Sequence, residues 1–379
     1  MDGSDVDKTD IKGVFELAMQ LYNSGEIDKA RDICRRITEI QINFDNVDEL
    51  YYKGMSHIYS MWETAKAIRC FKKILEIGTT NVNIIFDIGI YLCNNGYQSK
   101  AIDCFNKVLN LTEDIIKLHG MAFKLEKISK KNIASEYYNK ILDLQDNNVE
   151  DKYCKGNAAY CLFIDSLAIK YFKEIVETDK NIQRLYNAAN KLSILHDYEA
   201  TYKCLSQILK FNPTDIVILC GITKLFYILR KPNETVECIE KILKLQTNDL
   251  INLYDLADFL DCNKILYSTK LYQKIVSIQK PKYSPQELYI KATCSMILGK
   301  PKDGMDNFNK AIKENIKDIN NIFSLNIIAC RLLSLNKHDF AICCFQKIIN
   351  LSDTSNGKNE NSYYKSICIK SFRKKERRN

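Results

Sequence analysis

One feature restricts this chain to very few folds. A small residue, followed four places later by a bulky apolar one and seven places later by an aliphatic one, recurs ten times. The small residues are Ala30, Ala67, Ala101, Ala134, Ala168, Thr201, Thr235, Ser268, Gly304 and Ala341, at intervals of 37, 34, 33, 34, 33, 34, 33, 36 and 37 residues. Four places on stand Cys34, Phe71, Phe105, Tyr138, Phe172, Leu205, Ile239, Tyr272, Phe308 and Phe345. Seven places on stand Ile37, Ile74, Val108, Ile141, Ile175, Ile208, Ile242, Ile275, Ala311 and Ile348. Spacings of four and seven lie on one helical face, so each recurrence marks an amphipathic helix in the same phase. A period this short cannot hold a globular domain. It holds a pair of helices that must bury its apolar face against the next pair.

The pattern is clearest in residues 87–111, DIGIYLCNNGYQSKAIDCFNKVLNL. Two helices are expected there, joined by a turn at Asn94, Asn95 and Gly96. Ile88, Gly89 and Leu92 share one face of the first; Ala101, Phe105, Val108 and Leu109 share one face of the second. Gly89 and Ala101 are small where the two helices must cross closely. The unit resembles the tetratricopeptide repeat (TPR), and the resemblance spans residues 12–351. It implies an all-α protein, a right-handed α-solenoid (superhelix) of about ten TPR-like helix-turn-helix units. Trp62, Thr64, Lys155 and Leu256 depart from the family pattern. Residues 1–11 are expected to be a disordered N-terminus. Residues 352–379 are read as a polar break, a capping helix and a basic tail, since a terminal repeat must cover its open face.

Composition agrees. Five prolines and 13 glycines in 379 residues leave little material for long loops, and no alternating strand pattern is sustained. Pro213 falls where a helix must stop, Pro232 and Pro301 fall in turns between paired helices, and Pro281 and Pro285 mark a looser joint. The net charge of +8 is uneven: eight Lys/Arg against three Asp/Glu in residues 351–379 supply +5 of it. The acidic start, MDGSDVDKTD, matches neither a secretory signal nor a mitochondrial presequence. The longest apolar run, residues 216–229, is broken by Lys224 and falls short of the ~20 residues that a membrane span needs. An intracellular protein, cytoplasmic or nuclear, is expected.

Catalytic and metal motifs are missing from the sequence. It contains no phosphate loop, no nucleophile elbow and no metal-binding H-E-x-x-H helix. Its 15 cysteines form no C-x-x-C pair, and His57, His119, His196 and His338 stand apart. Cys70, Cys104, Cys204, Cys238 and Cys344 each lie three places after a small marker residue, as a small buried hydrophobe would. No cofactor, no metal and no enzymatic activity are expected.

Function then rests on surface. In the TPR family the first helix of each pair lines the concave side. Fifteen places before the markers run Phe15, Tyr52, Phe86, His119, Tyr153, Tyr186, Cys220, Leu253, Tyr289 and Asn326; eleven before run Met19, Ser56, Ile90, Phe123, Asn157, Asn190, Lys224, Ala257, Thr293 and Cys330. Such rings either contact a partner or pack between helices. The partner-binding residues expected in repeats three to six are Phe86, Ile90, Phe123, Tyr186, Asn187 and Asn190, holding an extended or helical peptide. A further column six places after the markers, mostly Lys, is expected to be a solvated face. The family's carboxylate clamp for chaperone tails is not expected, because Phe15, Met19, Lys53, Asn83 and Asp87 occupy its places in the first three repeats. The resemblance implies a protein–protein interaction scaffold, a TPR subunit of a larger eukaryotic complex. The alternative is a nucleic-acid or acidic-surface binder acting through the basic C-terminal tail.

Overall fold

The computed structural model describes residues 10–61, 63–314 and ten further positions between 326 and 348. Eighteen α-helices run between Ile11 and Glu314, and no strand occurs among the described residues. They form consecutive helix-turn-helix pairs, each packed on the next within its block. The architecture is an all-α solenoid. Packing divides the chain into two compact blocks between Thr178 and Asp179.

The N-terminal block holds five pairs: α1 (Ile11–Asn23) with α2 (Ile27–Glu39), α3 (Val47–Met61) with α4 (Thr64–Ile77), α5 (Val82–Asn94) with α6 (Gln98–Leu111), α7 (Ile115–Lys127) with α8 (Lys131–Asp143), and α9 (Val149–Cys161) with α10 (Asp165–Val176). The C-terminal block holds four: α11 (Ile182–Ile194) with α12 (Tyr198–Lys210), α13 (Ile216–Ile228) with α14 (Pro232–Lys244), α15 (Leu250–Cys262) with α16 (Ser268–Ser277), and α17 (Pro285–Ile297) with α18 (Pro301–Glu314). Beyond them Ala329, Ala341, Cys344, Phe345 and Ile348 are helical and buried against Leu288, Tyr289, Phe308 and Ala311. That is the tenth repeat's apolar stripe. The expected capping helix and basic tail, residues 352–379, lie outside the described residues.

Every one of the thirty stripe positions named above is buried. The helices pair closely because small residues sit at the crossings, as expected at Gly89. A Cβ there would lie 2.7 Å from Phe105 Cε1, and the equivalent atoms at Gly54 and Gly156 would lie 2.6 and 2.7 Å from the rings of Phe71 and Phe172. In α1 Ala18 is buried, whereas Leu17 beside it is 49 % exposed.

The turn inside each pair is one motif used repeatedly. In eight pairs a residue with positive φ follows the first helix: Gly25, Gly96, Ser129, Phe163, His196, Arg230, Lys264 and Gly299. The next N–H donates back to the carbonyl five residues earlier, from Glu26 to Leu21 at 2.9 Å through to Lys300 to Ser295 at 2.8 Å. This is the Schellman closure, which satisfies carbonyls left free at a helix end. Pro232 and Pro301 stand at the first position of the second helix, where a missing N–H costs nothing, and Pro285 opens α17 in the same way.

Candidate functional site

The expected partner-binding residues fall into both blocks and into different environments. In the N-terminal block Phe86 is only 1 % exposed; its ring packs against Phe105 and Tyr137, with centroids at 5.6 and 6.2 Å. It therefore serves the core, since α5 turns this ring toward α6 and α8. Ile90 is half-buried against the same core. Phe123 stands half out of the surface of α7, with Lys127 Nζ 4.5 Å from its ring centre, an arrangement that holds a cation over an open aromatic face.

In the C-terminal block Tyr186, Asn187 and Asn190 lie half-buried along α11. Tyr186 leans over Gly221 of α13 so closely that a Cβ there would sit 1.9 Å from the phenol oxygen. Asn190 donates to the carbonyl of Tyr186 at 3.0 Å, and Asn187 accepts from Gln183 at 3.2 Å. The remaining column members divide similarly. Phe15, Cys220, Leu253 and Tyr289 are buried, whereas Tyr52, His119 and Tyr153 are half-buried.

The lysine column is only in part the solvated face expected, exposed at Arg36 and Lys310. Lys73, Lys107, Lys140, Lys241 and Lys274 are half-buried. Lys140 Nζ donates to the carbonyl of Leu109 at the end of α6, and Lys274 Nζ to those of Leu243 at 3.0 Å and Leu245 at 2.8 Å at the end of α14. An ammonium placed there meets the partial negative charge of a helix C-terminus. A second set of lysines does similar work from the first helices. Lys53 reaches the carbonyl of Ile40 at 2.6 Å, Lys291 that of Ile278 at 2.6 Å, and Lys155 pairs with Asp146 at 3.2 Å. Lys155, a departure from the family pattern in sequence, is thus one of three lysines that staple the entry to a repeat.

The cysteines behave as packing atoms. Burial pushes the thiols of Cys34 and Cys104 up to about 11, and those of Cys204, Cys220 and Cys238 up to about 12, so all five are neutral at physiological pH. Among the described residues no three of His, Cys, Asp and Glu gather as a metal site, and no helix is long and apolar enough to cross a membrane. His57 is buried and bonds Glu63 at 2.6 Å across the α3–α4 turn. Burial holds its pKa below the ordinary histidine value.

One site had no signal in the sequence. At the turn ends of the seventh and eighth pairs lies a cavity of about 550 Å³, lined by Tyr227, Ile228, Arg230, Lys231, Val236 and Ile265 above a floor of Ile239. It is assembled from three separate stretches, the end of α13, the start of α14 and the turn into α16. Turn residues vary from pair to pair, so no periodicity points to it.

No protein-family model matches the chain. A TPR repeat-containing protein of Methanocaldococcus jannaschii is 23 % identical, over 89 % of this chain and 69 % of that protein. Among solved structures, a tetratricopeptide repeat protein of Parabacteroides merdae is 15 % identical with a TM-score of 0.39, over 74 % of this chain and 98 % of that one. The C-terminal part of a TPR repeat-containing protein of Cytophaga hutchinsonii is 13 % identical, also at 0.39, over 73 % and 98 %. With ten copies of one stripe buried in consecutive helix pairs, and a TPR repeat-containing protein aligned along nine tenths of this chain, the chain is similar to the tetratricopeptide-repeat proteins.

Proposed function

We propose that this protein is a non-enzymatic scaffold that holds a segment of a partner protein against its first helices, as a subunit of a larger assembly in the cytoplasm or nucleus. TPR folds serve in general as protein-interaction scaffolds. The observation that carries the finer reading is Phe123: a large ring, half exposed, on a first helix whose Leu118, Met121, Ala122 and Leu125 are buried. A rigid ring on a packed helix can bind at little entropic cost, and such anchors dominate interface energy at ~2 kcal/mol or more each. In the C-terminal block Tyr186, Asn187 and Asn190 offer a ring beside two amides, which suits the backbone of a peptide. Ile90 extends the first surface. Phe86 supports it from beneath. The relative in an archaeon gives no ground for restricting the assembly to eukaryotes.

Affinity purification with mass spectrometry tests the reading. Phe123→Ala and Tyr186→Ala, alone and together, are expected to release a co-purifying partner while the helical signal and the melting temperature hold. Deleting residues 373–379 is expected to leave the partner bound. Retention by the double variant together with loss on tail deletion would transfer the function to the basic tail, and nucleic acid in the eluate would then be the prediction to follow.

A further inference from the structure

We propose that the cleft at the turn ends of the seventh and eighth helix pairs is a second docking site, made for an acidic segment of a partner protein that inserts a large apolar side chain. The cleft combines an apolar interior with a rim of one charge. Ile239 is fully buried at its floor, while Ile228 stands more than half exposed on its wall. Tyr227 is fixed at the mouth by its hydroxyl, 3.3 Å from Asn263 Oδ1, and by an edge-on contact with Phe259 at 5.4 Å. At about 550 Å³ the cavity lies within the roughly 300–1,000 Å³ of clefts that bind ligands.

Charge selects the occupant. Arg230 and Lys231 line the cleft, and Lys264 adjoins the lining residue Ile265. No carboxylate lines it, and four of those on the neighbouring helices are engaged by other groups. Glu234 accepts from Tyr202, Glu237 pairs with Lys241, Asp255 pairs with Lys224, and Asp261 accepts from Ser268. The contrast is the cavity between α4 and α6, where Glu76 and Asp103 offset two of the three lysines, Lys72, Lys100 and Lys107. A positive rim around an apolar hole attracts an anionic segment and excludes a basic one.

The backbone sets two of these cations at the tips of their turns. Arg230 and Lys264 both occupy the turn position with φ of +55° and +58°, the place that Gly25, Gly96 and Gly299 fill in three other repeats and Ser129, Phe163 and His196 in three more. A side chain there is strained where glycine is not. The scaffold needs only the turn, so the two cations stand there at a cost to folding.

Fluorescence anisotropy on the full chain, with a labelled peptide repeating Glu-Asp-Phe-Glu-Asp-Leu, tests the proposal. Micromolar binding is expected, falling as salt rises. Arg230→Glu with Lys231→Glu should weaken it by roughly tenfold or more, and Val236→Arg, which blocks the mouth, should do the same. The charge-reversed variant should instead gain affinity for the same peptide with Lys in place of its acids, a swap that mere damage to the fold would not produce. Phe123→Ala and Tyr186→Ala should leave the peptide's affinity unchanged, which separates this site from the first-helix surfaces. Absence of binding, or binding indifferent to the Arg230, Lys231 and Val236 changes, would overturn the proposal. So would a cleft that refuses the peptide and takes the fatty-acid anion laurate.

Discussion

At Gly89 the backbones of α5 and α6 pass so closely that one methyl group would press on Phe105, while at Gly120 of α7 a methyl group would meet nothing within 4 Å. The same substitution therefore has opposite outcomes at the two positions. Gly89→Ala is expected to cost ~1–3 kcal/mol through overpacking. Gly120→Ala is expected to gain ~0.5–1 kcal/mol by removing helix-interior glycine. Urea denaturation of both variants checks this, and equal effects would refute the crossing geometry. The buried thiols carry a pH prediction at the same scale. The fold holds them neutral, with pKa values raised to about 12 at Cys204, Cys220 and Cys238. Their contribution is thus complete below the ordinary thiol value near 9.0 and is lost as pH climbs from there toward about 12. Melting temperature should fall progressively over that window, and Cys→Ala at the three positions should flatten the decline.

The elements show what a sequence can and cannot disclose. Stripes were legible because burial recurs at fixed spacing: Ala101, Phe105 and Val108 announce the inner face of α6 whatever the partner helix holds. Rotation of the first helices was less legible. Phe86 shares its column with Tyr186, yet one ring is sealed in the core and the other half-buried, because local neighbours decide how far each helix rolls. Lysine was misread for a related reason. Periodicity finds a column but not the carbonyls opposite it, and Lys274 is held by two of them. Lys274→Met would leave those carbonyls without their donor and should cost ~1–3 kcal/mol, whereas Lys310→Ala, exposed in the same column, should stay within about 0.5 kcal/mol. Comparison of their thermal melts decides between a stapling and a solvated role. The turns give the converse test. Phe163 has φ of +59° and a ring 89 % exposed, so Phe163→Gly should raise stability by ~1 kcal/mol; a loss would mean that the ring is held by contacts within the fold.

On the scale of the molecule, stability in an array of repeats is close to a sum over pairs and their neighbours. A fragment ending at Thr178 keeps five helix pairs and the apolar cluster that runs from Leu50 to Ala158. It is expected to retain its helical circular dichroism and to melt cooperatively, and a fragment without helical signal would show that the block depends on the rest of the chain. The repeated turn has one more consequence. Its closure is made by backbone atoms alone, and the residue at its tip is Gly, Ser, Phe, His, Arg or Lys from one pair to the next. The fold thus leaves one letter unread in each of these eight pairs. Spaced a helix pair apart within each block, these letters can be rewritten singly while the body beneath them keeps its form. Two scaffolds of identical build could in this way carry different addresses.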